Sequence, residues 1–274
     1  MALCGGIPFG VLTELVGPSG IGKTQFCLKL SLLASLPTSY GGLNGRVIYI
    51  DVESKFSSSG MIEIGITSFP GLFQQKEMAQ GMAGRILVLW PTSLSEFTQS
   101  LQQIKVSLLQ NQVKMLVTAS MAALVPEKDV QGTSRKQPLS WHISFIKSLA
   151  EFSRIPIVVT SQVRSQSHDQ ACQYSFQMHN KTGTLETPAT YDAHLVAAAL
   201  GINWAHAVTI RLVLESKSGQ RFIKLAKSPL SPPLAFPFHI TSSGISLVNH
   251  DGIELTGPEI NSIHYQGWQN CSMH

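Results

Sequence analysis

A continuous run, Gly17, Pro18, Ser19, Gly20, Ile21, Gly22, Lys23 and Thr24, has the spacing G-x-x-x-x-G-K-T. Between a strand and a helix such a loop cradles phosphates: its glycines let backbone N–H groups converge on oxygen, and the helix N-terminus adds a favourable dipole. Lys23 is placed to reach the β- and γ-phosphates, and Thr24 to ligate Mg2+ through its hydroxyl. The expected ligands are therefore ATP and Mg2+. The plain alternative is a glycine-rich turn without chemistry, and the Lys-Thr pair in register with the flanking elements argues against it.

Carboxylates recur where such a ligand would lie. Asp51 and Glu53 stand at and just past the end of the buried run 46–51, and Glu53 is the candidate general base for an attacking water. The other reading is that both merely cap the helix that follows. After the apolar run 155–160 comes Ser161-Gln162, where a glutamine at a strand end is placed to touch a γ-phosphate and report it to the segment that follows.

These residues need a scaffold, and the chain spells one out. Runs 11–16, 46–51, 85–90, 114–118 and 155–160 are β-branched and aromatic, and those from 46 onward read as parallel strands buried on both faces. Helical stretches alternate with them: 24–34; 93–109, with Phe97, Leu101, Ile104 and Leu108 at three- and four-residue spacing; and 139–152. Alternation predicts an α/β fold with a mostly parallel central sheet flanked by helices and ligands at the carboxyl ends of the strands. Runs 207–214 and 221–226 around the turn 217–220 predict a hairpin, and strands near 236–240 and 245–248 complete antiparallel additions to the sheet. The stretch 164–190, rich in Gln, Ser, His, Asn and Thr, reads as a long mobile loop, and 249–274 as a flexible tail after a core of residues 1–248.

Bulk properties narrow the class. The chain has 274 residues, 43% hydrophobic and only 13% charged, enough for one large domain with a polar, uncharged surface suited to a subunit of a complex. A net charge of +4 permits nucleic-acid binding without requiring it. The four cysteines show no metal-ligand spacing and are expected as reduced thiols of a cytosolic or nuclear protein. No run long and apolar enough to span a bilayer is present, so no membrane partner is expected. Nine histidines carry no zinc-site spacing, and Trp90, Trp141 and Trp204 read as core or interface residues.

The residues taken together resemble the RecA-like recombinases, and within them the plant-like eukaryotic DNA-repair recombinase paralogues of the B type. The likeness rests on LCGGIPFG, GPSGIGKTQFC, LASLPTSYGGLNG and YIDVES in the first part of the chain. It continues through SLAEFSRIPIVVTSQV, ALGINWAHAVTIRLVLE and LAKSPL, covering about residues 3–248. It implies a RecA-like P-loop NTPase core acting in homologous recombination in the nucleus, with single-stranded DNA and other recombinase paralogues as partners. By position it implies Lys23 and Thr24 as phosphate and metal residues, Glu53 as the catalytic glutamate and Gln162 as the γ-phosphate sensor. The first DNA-binding loop would fall near 126–138, with Lys128, Arg135 and Lys136 as phosphate contacts. The second would fall at 164–190, where Arg164, Lys181, His168 and His179 donate hydrogen bonds and Tyr174 and Phe176 stack on bases.

Three departures from the family pattern modify those expectations. Ala119 stands where the family's metal-steadying aspartate belongs, which predicts slow hydrolysis with binding less affected. Gly60 stands where an arginine usually stacks on adenine, which predicts weaker grip on the base. The core starts close to Met1, where family members carry a small helical domain, and that domain is expected to be missing. The rival functions are a nucleotide-binding structural subunit with a decayed site and no catalysis, and a small-molecule P-loop kinase. The kinase reading lacks the lid arginines it would need.

Overall fold

The computed structural model describes residues 7–74, 76–110, 112–124, 139–164, 197–198 and 201–248. The first strand, β1 (Leu12–Val16), leads through the glycine-rich loop into α1 (Lys23–Ser35), then β2 (Arg46–Asp51). Three helices follow, α2 (Ser58–Ser68), α3 (Pro70–Phe73) and α4 (Lys76–Ala83), before β3 (Ile86–Leu89), α5 (Leu94–Gln110) and β4 (Val113–Ala119). Next come α6 (Ser140–Ser153), β5 (Ile157–Ser161), β6 (Val163–Arg164), β7 (Ala197–Ala198) and α7 (Gly201–Ala207). The chain then forms β8 (Ile210–Lys217), β9 (Gln220–Lys227), β10 (Leu234–Thr241) and β11 (Gly244–Leu247).

Nine strands make one sheet in the order β11-β10-β9-β8-β1-β5-β4-β2-β3. From β8 to β3 every pairing is parallel, and from β8 to β11 every pairing is antiparallel. This is a RecA-like α/β core. Alternation along each strand sends side chains to two hydrophobic layers. On one face Leu15, Tyr49, Val117, Val158 and Leu214 pack against Cys27, Leu28 and Leu32 of α1. On the other, Ile48, Ile50, Leu116, Ile157 and Val159 meet Phe97, Leu101 and Ile104 of α5, Ile146 of α6 and Trp204 of α7. Each fully buried Leu or Ile contributes about 1.5–3 kcal/mol through removal from water, so the central strands are the stable heart of the molecule.

One expectation needs correction. Run 85–90 forms an edge strand, not one buried on both faces: among the described residues nothing pairs beyond β3 in the sheet, and Leu87 and Trp90 are 52% and 58% exposed. Trp204 is buried in the core, whereas Trp90 and Trp141 are exposed and keep only the interface half of their reading, Trp141 stacking on Phe145 at 4.8 Å. Of helices α2 to α4 the sequence reading has only an unbounded helix after run 46–51, as part of an alternative, because Gly60, Gly65, Gly71 and Gly81 dilute any helical signal. Tertiary packing of Met61, Ile64, Leu72 and Phe73 against α1's layer holds them. The tail 249–274 lies outside the described residues.

Candidate nucleotide site

The loop between β1 and α1 is shaped by close approaches that only glycine permits. A Cβ on Gly17 would lie 2.7 Å from the Leu214 carbonyl oxygen. Gly22 has φ +120 and its Cβ would lie 2.7 Å from Ile240 Cδ1. As N-cap of α1, Gly22 supplies no side-chain bond, so the first-turn N–H groups are left to an anion. Pro18, Ser19 and Gly20 are exposed at the rim, Gly17 and Ile21 are buried beneath it, and Thr24 is half-buried in the helix's first turn. The Lys23 ammonium donates to the carbonyls of Gly17 at 2.6 Å and Pro18 at 2.8 Å. Burial lowers its pKa, and the nearby Glu53 carboxylate works in the opposite direction.

At the carboxyl ends of β2 and β5 the two candidate side chains meet. Gln162 Nε2 donates to Glu53 Oε1 at 2.9 Å, and the Lys55 ammonium lies 3.1 Å from the same oxygen. Glu53 is thus positioned from β2 but oriented by a residue of the β5 end, immediately before β6. Asp51 behaves differently. Its Oδ2 accepts from the Phe56 N–H at 2.7 Å, bracing the turn into α2, while the helix is capped by Ser57, whose Oγ accepts from the Gly60 N–H at 3.0 Å. The capping alternative therefore holds in part for Asp51 and not for Glu53.

Ala119 ends β4 directly opposite Asp51 in the parallel register, and its carbonyl accepts from the Val52 N–H at 2.6 Å. Its methyl belongs to the hydrophobic layer under α1 and offers a metal no oxygen. Gly60 sits in the first turn of α2 beside Ser57, with no side chain to cover a base. Among the described residues no group of three or more His, Cys, Asp or Glu gathers as a metal cluster. A Mg2+ held chiefly by phosphates and the Thr24 hydroxyl, with one carboxylate near, fits the residues present. Oδ1 of Asp51 is buried and has no hydrogen-bond partner among the described residues.

Of the residues read as DNA contacts, Lys128, Arg135, Lys136, His168, Tyr174, Phe176, His179 and Lys181 lie outside the described residues. Arg164 is placed by its backbone, paired with Ala197 where β6 and β7 form a two-stranded ladder. Sequence reasoning missed a cleft of about 270 Å3 between α6 and α7, lined by Ser140, Ser144, Lys147, Asn203 and His206 over Ile143 and Ala207. No local signal marks these polar side chains, because they converge only when the two helices pack.

Beside this geometry stand the comparisons with known proteins. The family model described as Rad51 matches residues 1–248. The chain belongs to the Rad51 family. Within the Rad51 family it is similar to the DNA repair protein RAD51 homolog 2 of Arabidopsis thaliana, 69% identical over 97% of this chain and 71% of that protein. It is also similar to RAD51 homolog 2 of Homo sapiens, at 33% identity over 95% of this chain and 69% of that one. RAD51 homolog 3 of Cricetulus griseus matches at 28% over 88% of this chain and 64% of its own length. The chain is a RecA-like Rad51 paralogue, as the sequence resemblance implied. Among the described residues no helix is long and apolar enough to cross a membrane.

Proposed function

We propose that this chain is an ATP-binding subunit of a recombinase-paralogue complex in homologous-recombination DNA repair, acting in the nucleus, binding single-stranded DNA and hydrolysing ATP slowly. The repair role follows from the relatives named as DNA repair proteins. The observation that carries the ATP and DNA reading is the Glu53–Gln162 hydrogen bond. It ties the carboxylate beside the P-loop to the residue that precedes β6, so a γ-phosphate that engages Gln162 competes with that bond and is felt by the segment beyond Arg164. ATP can shift that segment only as far as it binds the two arrangements differently.

Lys23 and the first-turn N–H groups of α1 bind the phosphates, Glu53 accepts a proton from water, and Thr24 would hold Mg2+, which supplies charge neutralisation on the phosphates. Along the α6–α7 cleft, Lys147 and His206 with the Asn203 amide and the serine hydroxyls suit a polyanion backbone. The exposed β3 edge, with Leu87 and Trp90, suits strand addition by another subunit.

A second reading, a structural subunit with no catalysis, is favoured by Ala119. Measuring ATP affinity, then turnover with and without single-stranded DNA, separates the two. DNA-stimulated turnover is the expected result; ATP binding with no turnover in either condition supports the structural reading. Ala119→Asp is expected to raise turnover, and equal, brisk rates in both proteins would overturn the slow-ATPase assignment.

A further inference from the structure

Asp51 is the buried side chain at the nucleotide site whose chemistry is only half used. It is 1% exposed, Oδ2 is engaged by the Phe56 N–H, and Oδ1 has no hydrogen-bond partner. A buried carboxylate oxygen without a partner is costly and calls for an explanation. Its position supplies one. Tyr49, two residues earlier on the same face of β2, belongs to the same hydrophobic layer as Cys27 of α1. The Tyr49 phenol, whose pKa burial raises strongly, also feels Cys27 and Asp51.

Strand β2 and helix α1 run in opposite directions at this contact, because β1, parallel to β2 within the sheet, feeds α1 through a reversing loop. Moving two strand residues from Tyr49 to Asp51 climbs about 6–7 Å. Moving three helix residues back from Cys27 to Thr24 climbs about 4.5 Å in the same sense. Asp51 therefore lies toward the N-terminal end of α1, the end that carries Thr24. Its direct neighbour across the sheet is Ala119, so no second carboxylate crowds it from β4.

We propose that Asp51 Oδ1 is the carboxylate oxygen that steadies the divalent cation of the bound nucleotide, taking over a task that Ala119 cannot perform. The contact runs through the cation's water shell or directly; both place a charged acceptor where Mg2+ is otherwise held by Thr24 and phosphate alone. The proposal rests on the nucleotide-site reading above, and its test separates the two.

ATP affinity is measured by titration of the intact protein in Mg2+ and in EDTA, for wild type, Asp51→Asn, and Asp51→Asn combined with Ala119→Asp. Asparagine keeps an oxygen acceptor for the Phe56 N–H, and unchanged melting temperatures verify the fold. Wild type is expected to bind ATP about tenfold more tightly in Mg2+ than in EDTA. Asp51→Asn is expected to lose that increment while its EDTA affinity holds, and the double variant to regain it. An Asp51→Asn protein with the full Mg2+ increment overturns the proposal, as does a wild type with none. A wild type that binds no ATP in either buffer overturns the nucleotide reading itself.

Discussion

At Glu53 one carboxylate oxygen is shared between the neutral Gln162 amide and the Lys55 ammonium. The proposed general base needs its other oxygen open to water. Glu53→Gln is expected to cut ATP turnover about 100-fold while leaving ATP affinity within a factor of two or three, read by steady-state assay and titration. Lys23 sets a pH limit on binding. Burial lowers its pKa, so its positive charge is lost at a lower pH than an exposed lysine's, and ATP affinity is expected to fall on the alkaline side before the ordinary lysine range is reached. An affinity flat up to pH 10.5 would contradict this. Beneath it, burial pushes the Cys27 thiol up to about 12 from an ordinary 9.0. The native state keeps that proton while the unfolded chain releases it, so stability is unaffected below pH 9 and declines above it. Alkylation followed by peptide mass spectrometry at pH 8 should leave Cys27 unmodified until the fold opens. Lys23, Thr24, Glu53 and Gln162 were legible in the sequence because each belongs to a short motif or ends a buried run. The open oxygen of Asp51, and the cleft that Lys147 and His206 line, were not, since both depend on which elements pack together.

At the scale of elements, the central strands were readable within a residue or two because doubly buried strands need continuous apolar runs, and 46–51 and 113–119 supply them. The same rule failed for β3, whose apolar run is spent on an exposed edge. The bounds of α2 and the existence of α3 and α4 were not legible because their stability comes from packing and from one cap, not from propensity. Ser57→Ala is expected to cost about 1 kcal/mol by freeing the Gly60 N–H, seen as a lower urea midpoint. Within β4, Thr118 buries a hydroxyl that has no partner, on the face that packs against α5 and α6. Thr118→Val replaces it with a methyl of similar shape and is expected to raise the melting temperature by about 2–4 °C, equivalent to about 1 kcal/mol. A lower melting temperature would show that the hydroxyl has a role the packing does not reveal.

Across the whole molecule, the two ends of the sheet differ. The antiparallel end from β8 to β11 folds its last strand back toward α1, where the Lys29 ammonium donates to the Ile245 carbonyl at 2.9 Å. The β3 end is open and apolar. Leu87→Lys with Trp90→Lys is expected to abolish co-purification with other recombinase paralogues while ATP titration is unchanged; retained co-purification would move the interface elsewhere. Between these ends, β1 buries Glu14 completely, satisfied by the Trp204 indole N–H at 2.6 Å and the Arg211 guanidinium at 2.7 Å. Trp204→Phe is expected to cost about 1.5–3 kcal/mol, because a fully buried carboxylate loses a donor. The bond joins the first strand to a helix 190 residues further along the chain, and that has a bearing on inheritance. A chimera that takes its opening strand from one paralogue and its last third from another unites a buried acid with donors that never evolved beside it. Crossovers between Glu14 and Trp204 should therefore yield folded hybrids only when both parents carry the matching acid and donors, which makes this pair a barrier to shuffling between sister genes.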